Sequence, residues 1–238
     1  MTDREPRPRP RIAQSVRDVL RPVARPVLRT LRSLYEDHEL MLARAPIRPT
    51  GVSGFELVET THDENAIMGS YTEFGRTIAL HRIRQRLSHD LRYFELRAPD
   101  GLAATMWVLD RGARFVDEVG YHFPIRPGEI WYRDGFVSSR MRGRNVFGAL
   151  LDAFASGPFR EFRTMWSDFE PQNTPSFRAH EKYGFEMVGT VRGVHVGRSI
   201  LLRRCAVPGF DNLEGFKPGR NVVFTGPAFA RYCREHLA

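Results

Sequence analysis

A turn rich in arginine and glycine stands between a predicted strand and a predicted helix. It lies within EIWYRDGFVSSRMRGRNVFGALLDAF, residues 129 to 154. The predicted helix has one apolar face, formed by Val146, Ala149, Leu150, Ala153 and Phe154. The first turn of a helix has free backbone N–H groups and the positive end of the helix dipole, so it can hold an anion, and Arg142 and Arg144 add charge. The spacing indicates either a phosphate site or an ordinary connection.

A second segment, residues 167 to 191, has the pattern of a strand, a short helix and a further strand. In SDFEPQNTPSFRAHEKYGFEMVGTV, Asn173 can cap a helix that has Pro175 in its first turn. Gly184 can take the left-handed conformation that ends this helix, and Phe185 opens the next strand. By itself, this segment is a common structural joint.

The two segments together, in this order, resemble the GNAT superfamily of N-acyltransferases. Its first motif is Arg or Gln, two residues, Gly, one residue, and Gly or Ala, and it binds the pyrophosphate of acyl-CoA. Its second motif has an Asn, a Ser and an ending of the form aromatic-Glu-Lys-x-Gly-Phe. The resemblance covers residues 129 to 205 well, and residues 54 to 128 only by the order of strands and helices.

The resemblance assigns the donor-binding residues. It implies a pyrophosphate loop of Arg142, Gly143, Arg144, Asn145, Val146 and Phe147. It also implies that Val137 ends the strand beside the pantetheine arm, and that Asn173 and Ser176 contact the pantetheine and phosphate side of the donor. The co-substrate implied is acetyl-CoA or a longer acyl-CoA.

Two residues of the loop depart from the family's pattern. Asn145 and Phe147 stand where small residues are usual. Asparagine tolerates a positive φ, so Asn145 is the milder change. Phe147 either obstructs the approach of the phosphate to the backbone or turns into the core. A GNAT-shaped binding module with altered or lost donor binding is therefore the alternative to an active enzyme.

Acyl transfer to an amine needs a group that accepts the amine proton. Alternation along residues 129 to 137 places Asp134 on the face of Ile130, Tyr132 and Phe136, close to the expected thioester. Asp134 is therefore the first candidate for the general base. The reserve candidates at the end of the neighbouring strand are Asp168 and Glu170.

The leaving thiolate needs a proton donor. His180 stands where many GNAT members have a tyrosine general acid, about two helical turns after Asn173 and on the same face. Histidine can donate a proton near neutral pH, and Tyr183 is a nearby substitute. A structural role is the alternative for His180.

Composition limits the class of protein. The chain has 238 residues, of which 42% are hydrophobic, enough for one domain with appendages or at most two small domains. Two cysteines, Cys205 and Cys233, indicate neither a disulfide framework nor a zinc site, and the eight histidines show no ligand spacing, so we expect no metal. No apolar run approaches the roughly 18 residues of a membrane span. We expect a cytoplasmic protein, either free or peripheral at the membrane.

The positive charge is concentrated at the N-terminus. Residues 1 to 34 contain nine arginines and three acidic residues, out of a net charge of +8 for the chain. This segment is interpreted as an arm that packs on the domain, or that docks on an acidic partner such as an acyl carrier protein or on an anionic membrane surface. Nucleic acid is disfavoured because residues 1 to 50 contain one aromatic residue, Tyr35. A small-molecule or peptide amine is the expected acceptor, and a homodimer is left open.

The hydrophobic pattern predicts three parts. Residues 1 to 50 form the basic arm, with a break at residues 21 to 26 and a helix from Pro26 to about Ala43. Residues 51 to 206 form the GNAT-like domain, and residues 207 to 238 form an extension that packs on it. Within the domain we predict a strand at 55 to 61, one or two helices at 63 to 86, a hairpin of 91 to 97 with 102 to 109, a strand at 129 to 137, a helix at 144 to 156, a strand at 162 to 168, a helix at 174 to 183, and strands from 185 to 205. The predicted fold class is mixed α/β (α+β), with a mostly antiparallel central sheet flanked by helices.

Overall fold

Eight strands form one central sheet in the computed structural model, which describes residues 35 to 116, 119, 121 to 196, 199 to 207 and 210. The described strands are β1 Tyr35–Pro46, β2 Glu56–Glu59, β3 Arg92–Ala98, β4 Gly101–Leu109, β5 Ala113–Val116, β6 Tyr121–Pro124, β7 Glu129–Val137, β8 Thr164–Phe169, β9 Glu186–Val196 and β10 Ser199–Ala206. The described α-helices are α1 Glu64–Glu73, α2 Leu80–Ser88, α3 Val146–Ser156 and α4 Thr174–Lys182.

The central sheet has the order β10-β9-β1-β8-β7-β4-β3-β2. Its neighbouring strands are antiparallel, with the exception of the parallel pair β7 and β8. The strands β5 and β6 form a separate hairpin in the stretch 111 to 128, between the predicted strands 102 to 109 and 129 to 137. This architecture confirms the predicted fold class.

Helices and the small hairpin cover both faces of the sheet. On one face, α3 and α4 enclose a cluster that includes Phe94, Ile130, Leu150 and Phe154. On the other face, α1 and α2 pack on Tyr93 and Trp107, and the β5–β6 hairpin packs on the stacked pair Trp131 and Trp166. Because both faces are covered, β4 is buried over nearly its whole length, which explains its continuous apolar sequence.

The predicted helix from Pro26 to about Ala43 is wrong for residues 35 to 43. These residues form most of β1, which pairs with β8 on one side and β9 on the other. Leu40 and Leu42 face one cluster, whereas Ala43 and Ala45 face the other, so the pattern has a period of two residues. Residues 35 to 46 therefore belong to the sheet and not to an arm.

Other predicted elements between β2 and β10 are confirmed. The hairpin of β3 and β4 turns at Pro99 and Asp100, and two short helices occupy the stretch 63 to 88. Gly75, with φ of 66°, lies in the break between those helices. The predicted arm before residue 35 lies outside the described residues, as does the C-terminal extension except Val207 and Phe210, which are buried.

Candidate active site

A groove opens where β7 and β8 separate. The two strands pair in parallel from Glu129 and Thr164 to Tyr132 and Ser167. Beyond this point β7 continues along β4 to Val137, as predicted, while β8 continues along β1 to Phe169. The groove has a volume of about 730 Å³. Eight of the predicted site residues line it: Asp134, Val137, Arg142, Val146, Phe147, Asn173, Ser176 and His180.

The loop before α3 presents backbone N–H groups at one end of the groove. The first hydrogen bond inside α3 runs from the N–H of Ala149 to the carbonyl of Asn145, at 3.1 Å. The N–H groups of residues 146 to 148 therefore have no carbonyl acceptor within the helix. Such groups, together with the helix dipole, favour an anion.

Arg142 supplies positive charge to this end of the groove. It is exposed and lines the groove, and among the described residues it makes no ion pair with a carboxylate. Its neighbours are engaged, because Arg144 lies 2.5 Å from Asp100 and Arg140 lies 3.4 Å from Glu73. Arg142 is thus the guanidinium of this loop that remains available to a phosphate.

The backbone of the loop gives a better register for the first motif. Gly143 and Asn145 both have positive φ values, 79° and 58°, and such values explain why small residues are usual at two positions. The motif then begins at Arg140, a residue that lines the groove and that the sequence assignment missed. The spacing Arg140-Met-Arg-Gly143-Arg-Asn145 was the signal that could have found it.

Phe147 turns into the core. It is the second residue of α3, half-buried, and part of its ring lines the groove. Its ring centroid lies 5.2 to 6.1 Å from those of four other rings, in His180, Tyr183, Phe185 and Tyr132. The helical position of Phe147 does not require a small residue, so the departure that remains in the motif is Asn145.

Tyr183 holds the loop and does not line the groove. Its hydroxyl donates to Oδ1 of Asn145, which also accepts from Nζ of Lys182 at 2.8 Å. A Cβ atom on Gly148 would collide with the Tyr183 hydroxyl, so a larger residue there would displace Tyr183 from Asn145. The arrangement keeps Asn145 in its left-handed conformation at the start of α3.

Asn173 caps α4 at the rim of the groove, as predicted. Its Oδ1 accepts from the N–H of Ser176 at 3.2 Å, and its side chain is exposed. Its amide N–H groups donate no hydrogen bond to another described residue, so they are available to a ligand.

Asp134 does not share the face of Ile130 and Tyr132, so that prediction is wrong. The pairing of β7 with β4 shifts by one residue after Arg133, and Asp134 has φ of 48°. This β-bulge reverses the alternation, so that Asp134 and Phe136 both lie on the side of α1 and α2. A local bulge of this kind cannot be recognised from the alternation of polar and apolar residues in the sequence.

Asp134 is ion-paired in this position. Its carboxylate lies 2.5 Å from Arg86 and 3.5 Å from Arg133, and its side chain is 30% exposed. Burial alone would raise the pKa of Asp134, but the charges of Arg133 and Arg86 outweigh burial and lower this pKa to about 2. A carboxylate with so low a pKa has little affinity for an amine proton at neutral pH. Its role as the base stays a prediction.

The two reserve carboxylates differ in their surroundings. Asp168 lines the groove but accepts hydrogen bonds from Arg114, at 3.1 Å, and from the indole of Trp131, at 2.6 Å. Glu170 is exposed at the rim and accepts from the side chain of Gln172. Asp168 is therefore neutralised by its partners, whereas Glu170 faces solvent.

His180 and Tyr132 meet at the floor of the groove. They are 4% and 5% exposed, and the Tyr132 hydroxyl is hydrogen-bonded to Nε2 of His180. Nδ1 of His180 lies 2.7 Å from the backbone carbonyl of Ser176. Burial lowers the pKa of His180 and raises that of Tyr132, so both side chains are neutral at neutral pH. The sequence analysis assigned no role to Tyr132 and mentioned it only as a residue on the predicted face of Asp134.

The described residues contain no group of three or more His, Cys, Asp or Glu side chains placed to hold a metal ion. Among their helices, none is long and apolar enough to cross a membrane.

Comparisons with known proteins find similar structures but no similar sequence. No protein-family model matches the chain, and no curated protein matches it significantly. A functionally unknown conserved protein from Staphylococcus epidermidis is 10% identical with a TM-score of 0.49, and the match covers 71% of this chain and 66% of that one. A putative acetyltransferase from the GNAT family of Novosphingobium aromaticivorans is 14% identical with a TM-score of 0.45, over 67% and 64% of the two chains.

A third similar structure is AAC(6')-Iy in complex with the bisubstrate analog CoA-S-monomethyl-acetylneamine. It is 22% identical with a TM-score of 0.40, and the match covers 56% of this chain and 92% of that one. The chain thus spans just under two thirds of the length of the first two structures. The fold of the described residues is a mostly antiparallel mixed sheet flanked by helices, with an arginine-glycine loop at the start of α3.

Proposed function

We propose that the chain is an N-acyltransferase that moves an acyl group from an acyl-CoA-type thioester to a primary amine by direct attack. One observation carries this proposal. The groove between β7 and β8 has free helix N–H groups and Arg142 at its open end, and a buried pair of protonatable side chains at its floor.

The open end of the groove suits a diphosphate. Backbone N–H groups at the start of α3 can surround phosphate oxygens, and Arg142 adds a charge-assisted hydrogen bond. The positive φ values of Gly143 and Asn145 let the backbone turn toward such a group. These features support binding of the nucleotide part of the donor.

The middle of the groove suits an extended chain that carries amide groups. From Arg133 to Val137, in the described part of the chain, β7 pairs with β4 on one side but no longer with β8 on the other. Its free edge can exchange main-chain hydrogen bonds with a pantetheine-like arm. A donor that lies along this edge directs its acyl end toward the floor, where β7 and β8 meet again at Tyr132 and Ser167.

The first experiment measures donor binding. Titration calorimetry with acetyl-CoA, with a longer acyl-CoA and with CoA is expected to give saturable binding, together with a rise in melting temperature. The same titration with an acylated carrier protein separates a CoA donor from a carrier-bound donor. If none of these thioesters binds, the proposed function is wrong.

The second experiment identifies the acceptor. The purified protein is incubated with the donor that binds best and with a library of small-molecule and peptide amines, and products are detected by mass. A product heavier by the acyl group is expected. Donor binding without any acylated amine would instead indicate a binding module of the same fold.

A further inference from the structure

The floor of the groove contains a tyrosine and a histidine whose rings are nearly parallel. Tyr132, from β7, and His180, from α4, have ring centroids 5.9 Å apart and an interplanar angle of 9°. Three aromatic side chains enclose the imidazole, with centroid distances of 5.2, 4.6 and 4.7 Å for Phe147, Phe169 and Phe185. Water is therefore largely excluded from the contact between the two rings.

The hydrogen bonds of His180 fix its tautomer. The carbonyl oxygen of Ser176, 2.7 Å from Nδ1, can only accept, so Nδ1 carries a hydrogen. In the neutral ring Nε2 is then the acceptor, and the Tyr132 hydroxyl donates to it. His180 in this state has no hydrogen on Nε2 to give to a thiolate. The hydrogen of this contact therefore belongs to Tyr132, which lines the groove.

We infer, on the basis of the proposed function, that Tyr132 exchanges protons with the amine and the thiolate, and that His180 acts through Tyr132 as a temporary proton store. Tyr132 is the catalytic residue in this scheme, and His180 is its positioning and proton-accepting partner. The expectation that His180 itself is the general acid is replaced by a relay.

The relay conserves protons in two steps. As the amine nitrogen bonds to the thioester carbonyl carbon, Oη of Tyr132 takes a proton from that nitrogen while its own proton passes to Nε2 of His180. As the bond between carbon and sulfur breaks, the electron pair stays on sulfur, which takes a proton from Tyr132, and His180 returns the stored proton to Oη. The net result is an amide, a thiol and an unchanged protein.

The properties of the two groups fit a relay with no long-lived ion. The raised pKa of Tyr132 disfavours a tyrosinate, and the lowered pKa of His180 makes its imidazolium a ready donor. The charged side chain of β8 at the groove, Asp168, is held by Arg114 and Trp131. Asp134 of β7 is turned toward α2, where it meets Arg86.

The closing experiment separates donor binding from turnover. In Tyr132→Phe the ring stays and the hydroxyl is lost, so the Kd for acetyl-CoA is expected to stay the same while kcat for the best amine falls by about 10²–10⁴-fold. Tyr93→Phe is the matched control, since it removes a buried hydroxyl on the opposite face of the sheet and should retain kcat.

The pH profile tests His180. The relay needs neutral His180, so kcat is expected to fall as the pH drops through the pKa of His180, which burial places below the ordinary value of 6.5. Glutamine at position 180 can accept the hydrogen bond of Tyr132 but cannot store a proton. His180→Gln should therefore lower kcat and remove this acid limb.

A measurement on the unmodified chain covers the case in which a variant fails to fold. Histidine ¹⁵N NMR is expected to show hydrogen on Nδ1 and an acceptor at Nε2, and a signal of Nε2 that shifts when CoA is added. A hydrogen on Nε2 overturns the relay, as does full turnover by Tyr132→Phe. If no donor binds at all, the proposed function falls, and the relay with it.

Discussion

The two ends of the groove are built in opposite ways. The loop before α3 is exposed and uses backbone N–H groups, left-handed residues and the guanidinium of Arg142, which makes no ion pair within the described part of the chain. The floor is buried and depends on one contact between side chains, that of Tyr132 with His180, which are 48 residues apart in sequence. Donor binding and proton transfer therefore depend on different kinds of contact, and each can be tested by substitutions of its own.

Phe147 is the strongest test of this difference between the two ends. It lies in the first turn of α3, next to the loop, but its ring contacts the floor. Phe147→Ala removes a half-buried ring from an aromatic cluster and is expected to lower the free energy of unfolding by about 3 kcal/mol. Urea denaturation measures the loss, and Phe177→Ala, at another partly buried position of the same cluster, is the matched control. Tighter acetyl-CoA binding by Phe147→Ala would show instead that the ring obstructs the donor.

The turn and the helix start of the loop were predictable from the sequence, although Arg140 was missed, whereas the contact at the floor was not predictable. Turn chemistry is local, so the arginines, Gly143 and the capping role of Asn173 could be inferred from spacing alone. The partner of His180 could not, because a contact between a strand and a helix depends on the path of the chain in space. The position of Asp134 was not predictable either, because the β-bulge beside it cannot be recognised from the alternation of polar and apolar residues.

The fold was predictable wherever one period held throughout an element. The hairpin of β3 and β4 and the helices α3 and α4 have clear periods and strong boundaries. In β1 the prediction failed because a helical pattern before residue 35 was extended into a strand that is buried on both faces. Residues 40 to 43 are apolar throughout because both faces of the sheet are covered there, so they show no alternation of polar and apolar residues.

Asp134 follows Tyr132 closely on β7, but its carboxylate is ion-paired with Arg86 on the opposite face of the sheet. We therefore expect it to affect stability and not proton transfer at the floor. Its folded pKa is lowered from 3.8 to about 2, which corresponds to about 2 kcal/mol of stability. This contribution is fully present above pH 4 and is lost as the pH falls through the folded pKa. Asp134→Asn should therefore be less stable than the wild type at pH 7, by about that amount, and the difference should shrink toward pH 2.

Urea denaturation at pH 7, 4 and 2.5 measures this effect. Glu170→Gln is the matched control, since Glu170 is an exposed carboxylate near the same groove. A difference between wild type and Asp134→Asn that stays constant with pH would contradict the ion pair with Arg86.

Arg142 tests the loop alone. Arg142→Ala is expected to raise the Kd for acetyl-CoA about tenfold, or about 1.4 kcal/mol, because a charge-assisted hydrogen bond to phosphate is lost. Arg144→Ala should have a smaller effect, since the Arg144 guanidinium is held by Asp100. Calorimetry at two salt concentrations measures both variants, and equal losses would show that the two arginines bind the donor alike.

Tyr183 joins the two regions, because it follows α4 in sequence but its hydroxyl holds Asn145 of the loop. Tyr183→Phe should cost about 1 kcal/mol in stability and weaken acetyl-CoA binding severalfold, since Asn145 is then less firmly held in its left-handed conformation. Glycine adopts a positive φ without this support. In an Asn145→Gly background, Tyr183→Phe should therefore have little effect on either quantity.

The four proteins of this double-mutant cycle decide whether the shape of the loop is its own property. If the losses of the two single variants simply add, the loop keeps its conformation without Tyr183, and the link between the two ends of the groove is absent. If they do not add, α4 sets the conformation of the loop, and a change at the floor that moves α4 will also be felt by the donor.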